Sequence, residues 1–291
     1  MTRLVPAALL AACALIGAGC GDAANTGPAT SVTITHDFGA VVQSGAKSVP
    51  ATPGLTGLRQ LETVHKVTTA YGGRYVKSID GTTEDADSSW LFYVDGIESD
   101  MGSTSVRLKP GQVVQWDFHA WQAVRTGGAI VGAYPLPLKT QGVKLICAPR
   151  GSKACKLARK GLTASGIVIS PHSPVRIVVG PWNDIEGFDG VPDLTRPGDT
   201  NGAFAQFSNS GEKLTPVSAD GSDGHPLTDQ AGLLVAFSSA GKTTWIATGT
   251  DDAGTEKAAG LLDSGGPLLK NRFAYAIGEP GPIALPEVAG P

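Results

Sequence analysis

VTTAYGGRYVKSIDG (67–81), SSWLFYVDGIESD (88–100) and SVRLKPGQVVQWDF (105–118) decide the fold of this chain. Each is rich in β-branched and aromatic residues and bounded by glycine turns, the pattern of successive strands. Upstream, SVTITHDF (31–38) alternates imperfectly but in a strand-like way. Between these segments Thr52-Pro53 reads as a helix start, a good N-cap followed by the one helical position where proline is welcome. Leu55, Leu58, Leu61 and Val64 then recur at intervals of three, one apolar stripe laid on a sheet. A helix crossing a small mixed sheet over 31–121 is the β-grasp arrangement.

Residues 122–141 form a Gly/Pro-punctuated connector, where a domain boundary is expected. Beyond it come a strand, VKLICA (143–148), a helix over 152–162 and a second strand, VRIVVGPW (175–182). GAFAQFS, KLTPVS and LLVAFSS then read as a meander, followed by TTWIATG (243–249), a helix over 252–262 and RFAYAI (272–277). The predicted class is therefore α+β. A β-grasp domain is followed by an α/β domain at 142–278, built from two strand-helix-strand units that begin at Val143 and Thr243, around the meander. The tail, 279–291, is proline-rich.

Composition agrees. The 291 residues include 39 Gly and 20 Pro, about a fifth of the chain against an average nearer ~12%, which excludes helical bundles and solenoids because both residues weaken helix interiors. Net charge is −3, from 23 Lys+Arg against 26 Asp+Glu. Nothing therefore draws the whole surface towards nucleic acid.

The N-terminus carries one cation, Arg3, then the apolar run LVPAALLAACALIGAG and Cys20. It reads as an export signal, too short for a membrane span, and resembles a bacterial lipoprotein signal cut just before a lipid-bearing cysteine. Cys13 has the better local match, Leu10-Ala11-Ala12, but leaves hardly any apolar region before it. Cys20 follows Gly17-Ala18-Gly19 at an ordinary signal length, so the expected division is signal 1–19, lipid anchor Cys20 and linker 20–30. A plain secretory signal is the alternative. The expected location is the membrane, lipid-anchored and facing outside the cytoplasm. In that oxidising compartment Cys147 and Cys155 are expected to form a disulfide, whose short loop contributes ~2.5 kcal/mol in the chain-entropy treatment.

The combination YGGRYVKSIDG (71–81), WLFYVDGIESDMG (90–102) and VRLKPGQVVQWDF (106–118), behind a Leu-rich helix, resembles the bacterial family related to the C-terminal β-domain of transcobalamin and intrinsic factor. The resemblance covers about a third of the chain. A longer one, through 121–137, IVVGPW and TTWIATGTD, is to actinobacterial lipoproteins carrying this domain. The resemblance implies an extracellular binding module rather than an enzyme, with cobalamin or a similar cofactor as a noncovalent ligand. In the vertebrate relatives the ligand lies between a helical barrel and the β-domain. This chain has no such barrel, so the other jaw would be its second region or a separate protein such as a helical-barrel partner, and an uptake transporter would receive the captured cofactor. Trp90, Phe92 and Val94 share one strand face, and Leu91 and Tyr93 the other. With Trp116 assigned to the core, Tyr71, Tyr75, Tyr93, His119 and Trp121 remain as candidates for a ligand face that holds a large ring by stacking and area burial. The competing reading is an extracellular protein- or glycan-interaction module with no small ligand.

Three local matches imitate enzymes. AFSSAGKT (236–243) fits a relaxed P-loop, but a P-loop must open a helix and TTWIAT reads as a strand, so a hairpin turn at 240–242 is expected. DSGGP (263–267) resembles the nucleophile motif of trypsin-like proteases, yet no histidine stands in the matching context and Gly265 reads as a helix C-cap. Glu84, Asp85 and Asp87, and Asp184, Glu186, Asp189 and Asp193, lack the spacing that wraps a chain round calcium. Lys153, Lys156, Arg159 and Lys160 read as the wet side of an amphipathic helix. No catalytic or metal site is expected.

Overall fold

A computed structural model describes residues 27–120, 128–264, 266–279 and 281–287. The first region runs β1 (Thr30–His36), β2 (Val41–Val49), α1 (Gly57–Val64), β3 (Val67–Ala70), β4 (Tyr75–Ile79), β5 (Thr82–Thr83), β6 (Ser88–Val94), β7 (Ile97–Glu98) and β8 (Val113–Ala120). β2-β1-β8-β6-β7 form a five-stranded sheet and β3-β4-β5 a smaller one. Within the larger sheet β1 pairs parallel with β8, whereas β6 pairs antiparallel with β8.

The leucine stripe behaves as its spacing predicts: Leu55, Leu58 and Leu61 are buried with Val32, Ile34, Trp90, Phe92 and Trp116. Phe92 stacks on Trp116 at 4.6 Å between ring centroids. The helix itself begins later than Thr52-Pro53. Thr56 is its N-cap, with Oγ1 accepting from Arg59 N at 3.3 Å. A bridge between Thr56 and Arg107 holds the preceding backbone extended, and Leu55 N closes a turn onto Thr52 O.

The second region contains α2 (Leu138–Gln141), β9 (Lys144–Cys147), α3 (Lys153–Ala164), β10 (Arg176–Val179), α4 (Trp182–Ile185), α5 (Gly198–Asn201), β11 (Ala205–Phe207) and β12 (Leu214–Pro216). It continues with β13 (Gly232–Ser239), β14 (Lys242–Gly249), α6 (Asp252–Ser264), α7 (Gly266–Leu269), β15 (Ala274–Ile277) and β16 (Pro282–Leu285). Six strands form one sheet in the order β16-β15-β13-β14-β10-β9, while β11 and β12 pair apart. The chain is thus a mixed α+β protein dominated by strands. β9, β10 and β14 run parallel, and β13 opposes β14 in a hairpin. Lys242 therefore pairs with Ser239 across a turn at Ala240 and Gly241, both at positive φ (49° and 74°), and no helix follows for phosphates to sit on.

Side-chain alternation splits the six-stranded sheet between two cores. Ile177, Val179, Leu234, Trp245 and Ala247 face Ala154, Ala158, Leu162, Ala258 and Leu262 of α3 and α6. Val178, Leu233, Val235 and Ile246 face the other way, into a core that also holds Phe38, Tyr93 and Ile130. The outer face of the first sheet and the inner face of the second therefore share one apolar interior. On α3, Lys153 pairs with Glu256 and Lys160 with Asp263 of α6, so part of the basic helix face is neutralised. Cys147 and Cys155 are disulfide-bonded, with Cα atoms 5.8 Å apart, tying the end of β9 to the first turn of α3.

Candidate functional site

The four described candidates, Tyr71, Tyr75, Tyr93 and His119, do not form one surface. Tyr93 and His119 are 1% and 2% exposed. Phe273 of the second region packs edge-on against both, and Phe38 stacks on His119 at 4.3 Å. Strand alternation correctly separates them from Trp90 and Phe92, but the face they occupy is covered by the second region. Tyr75 lies apart from them, in the wall of a surface cleft beside Ser89, and Tyr71 is exposed. Trp121 and the anchor Cys20 fall outside the described residues, as does Gly265.

His119 belongs to a buried polar cluster. Asp117, fully buried, accepts from His119 Nδ1 (2.6 Å), Phe38 N (2.9 Å), Gly39 N (2.8 Å) and Thr35 Oγ1. These bonds fix the tight turn at 37–39, in which Asp37, Phe38 and Gly39 all have positive φ. From the same strand Gln115 Nε2 donates to Asn271 O at 2.9 Å. A buried carboxylate with this many donors is a structural clamp on the first region's own turn, and the Gln115–Asn271 bond beside it makes the link to the second region.

An open cleft of about 240 Å³ lies in the first region between the start of β4 and the loop 98–103. Its floor is the edge of the aromatic core, Trp90, Phe92 and Trp116, and its walls include Arg74, Tyr75, Glu98, Asp100 and Met101. Ser103 O accepts from Leu58 N at the head of α1 (3.0 Å), and Ser99 N donates to Phe92 O (3.0 Å). The loop is tightened further by Ser99 Oγ donating to Met101 O at 2.9 Å. Opposite, the Tyr75 hydroxyl meets Ser89 Oγ at 2.8 Å. Burial raises the Tyr75 pKa, and the Glu84 carboxylate beside it adds to the shift. Burial likewise raises Glu98, against a smaller opposing pull from His119.

Two large apolar side chains stand exposed on these two loops, Tyr71 at 84% and Met101 at 54%. Tyr71 has φ 52°, a left-handed conformation costly for a bulky residue. Phe38 and Phe204 also have positive φ, at 58° and 53°, but both are buried, so packing compensates them. Tyr71 has no such compensation inside the fold. Met101, one of only two methionines in the chain, and Arg74 were not singled out by sequence; the signal available was their position in the turns of the quoted motifs.

Among the described residues no group of three or more metal-ligating side chains comes together, and the two acidic loops use their oxygens locally. Asp85 Oδ1 accepts from Asp87 N and Ser88 N, and Asp189 pairs with Arg176.

Fold and site together define a mixed α+β protein with a small aromatic cleft in its first region. Residues 54–120 match the family model described as a domain of unknown function (DUF4430). No curated protein matches. Among solved structures the chain is similar to haptocorrin in complex with Cbi, at 12% identity and a TM-score of 0.28, covering 32% of this chain and 25% of that one. It is similar also to a "putative metal binding protein" from Ruminococcus gnavus ATCC 29149, at 12% identity and a TM-score of 0.25, covering 32% of this chain and 97% of that one.

Proposed function

We propose that the chain is a lipid-anchored binding lipoprotein, held at the outer side of the membrane through Cys20, whose β-grasp-type first region captures cobalamin or a comparable corrinoid without covalent chemistry. The observation that carries this reading is Tyr71: an aromatic ring held in solvent by a left-handed backbone, three residues before the wall of an aromatic-floored cleft. A strained, exposed tyrosine contributes little to folding, and ring stacking is what such a side chain offers a ligand. Met101 on the facing loop supplies a second, adaptable apolar contact.

Size limits the mode of binding. Enclosed sites for drug-sized ligands run to roughly 300–1,000 Å³, so a cleft of about 240 Å³ accepts one substituent while a large ring lies across its mouth. The ring's far face stays open to a second protein, such as a helical-barrel partner or an uptake transporter.

Titration of the mature chain with cobalamin, followed in the corrin absorbance, tests the reading. Binding is expected to weaken about tenfold in Tyr71→Ala and in Met101→Ala, with the melting temperature of each variant unchanged or slightly raised. No spectral change at high micromolar ligand would leave the protein- or glycan-interaction alternative in its place. The anchor is tested separately: Cys20→Ala is expected to leave the membrane fraction, and its retention there refutes the assignment.

A further inference from the structure

We propose that the free edge of β9 is a strand-addition site for an extended acidic peptide segment of a partner protein. This site lies in the second region and does not depend on the corrinoid reading.

β9 is the last strand of the six-stranded sheet and is bonded to β10 alone. Lys144 N and Ala148 N donate to Val175 O and Val179 O, each at 2.8 Å. The two-residue period of a strand then turns the N–H and C=O groups of Leu145 and Cys147 away from β10. At the start of the strand the outer side is already covered, since Val143 N donates to Val168 O (2.8 Å) and Ser170 N donates to Val143 O (2.9 Å). Past that point the edge is open. No backbone or side-chain partner meets Leu145 or Cys147 on that side among the described residues.

A cavity of about 590 Å³ adjoins this open stretch. Leu145, Ile146, Phe188 and the Cys147–Cys155 disulfide give it apolar walls, and its charged members are Lys144, Arg150 and Arg159. Among the described residues no carboxylate lines it. The three cations are exposed and join no ion pair among the described residues. Their neighbours on α3 behave differently, because Lys153 and Lys160 are matched by acids of α6.

Charge and backbone together select the occupant. A small anion would answer the cations and leave the edge groups unpaired, whereas an apolar molecule would answer neither. An extended peptide alternating acidic and β-branched residues supplies ladder hydrogen bonds to β9, carboxylates to Arg150 and Arg159, and apolar contact to Leu145 and Phe188. The opposing account is that the cations only blunt an exposed edge against aggregation. It predicts no peptide binding at all.

The test uses the mature full chain and a fluorescein-labelled, end-blocked hexapeptide of alternating Glu and Val, read by fluorescence anisotropy. A Lys-Val hexapeptide serves as charge control. Two further Glu-Val peptides carry N-methyl groups on one or the other set of alternate amides. The Glu-Val peptide is expected to bind, and one N-methylated set to lose about tenfold or more in affinity while the other keeps it. Arg150→Glu together with Arg159→Glu is expected to lose a similar factor with an unchanged melting temperature, both side chains being exposed. The proposal is overturned by equal binding of the Lys-Val peptide, by indifference to both N-methylation patterns, or by no anisotropy change up to about 1 mM protein.

Discussion

Tyr71 and Tyr93 belong to neighbouring motifs of the first region and have opposite surroundings, which leads to opposite expectations. The Tyr93 hydroxyl is buried with no hydrogen-bond partner, and burial raises its pKa well above the ordinary value. Removing that oxygen relieves an uncompensated desolvation, so Tyr93→Phe is expected to be neutral or to stabilise by up to about 1 kcal/mol in urea unfolding. For the exposed Tyr71 the expected signature is instead a loss of ligand affinity on substitution. Glu98 gives a pH-dependent counterpart. Its folded pKa is raised above the ordinary 4.5 by burial, so its contribution to stability is present in acid and is lost as pH rises through the folded value. Glu98→Gln should therefore melt higher than the parent at about pH 7, the gap closing towards about pH 4; a gap that is constant with pH would refute the sign. Strand periodicity made the two faces of β6 legible, because Trp90 and Phe92 alternate with Leu91 and Tyr93. It could not tell whether the second face was wet. That depends on Phe273, far away in sequence, and no local pattern records it.

At the scale of elements, the legible features were those set by neighbours in sequence. The stripe Leu55, Leu58, Leu61 gave a helix, and Ala240-Gly241 gave a hairpin where a phosphate loop was imitated. The helix start was misplaced because Thr52 and Thr56 both offer a capping oxygen, and the choice is made by the Thr56–Arg107 bridge, a long-range contact. The cleft was only half legible for a similar reason: Tyr75 stands in the motif, but Met101 joins it in the cleft wall through the pinning of Ser103 to α1. The Cys147–Cys155 pair is a local element whose energetic role can be isolated. Its closed loop spans a sequence separation of 8, for which the chain-entropy treatment gives a loss of ~2.5 kcal/mol when both cysteines become serine. Urea unfolding of the double variant Cys147→Ser/Cys155→Ser measures it. A loss near zero would mean that the β9–α3 corner is held by packing alone.

For the whole molecule the decisive contact is the one between the two sheets. Phe38, Tyr93 and Ile130 of the first region and connector lie in the same core as Phe204, Leu233, Val235 and Phe273 of the second, so neither region buries its apolar face alone. Gly39 is the tightest point of that contact. A Cβ there would stand 1.8 Å from Asn271 O, and its φ of +77° already disfavours any other residue. Gly39→Ala is therefore expected to push the turn at 37–39 away from Asn271, cutting both the Asp117 bonds that fix the turn and the Gln115–Asn271 bond. A cost of roughly 1–3 kcal/mol or more follows from overpacking of this kind. Because the core is shared, the loss should not stay local: calorimetry of the parent should show one cooperative transition, and Gly39→Ala should lower that transition as a whole. Two regions that merely touched would give two transitions, of which Gly39→Ala would move only the first, and that result would refute the shared core as the source of the chain's stability.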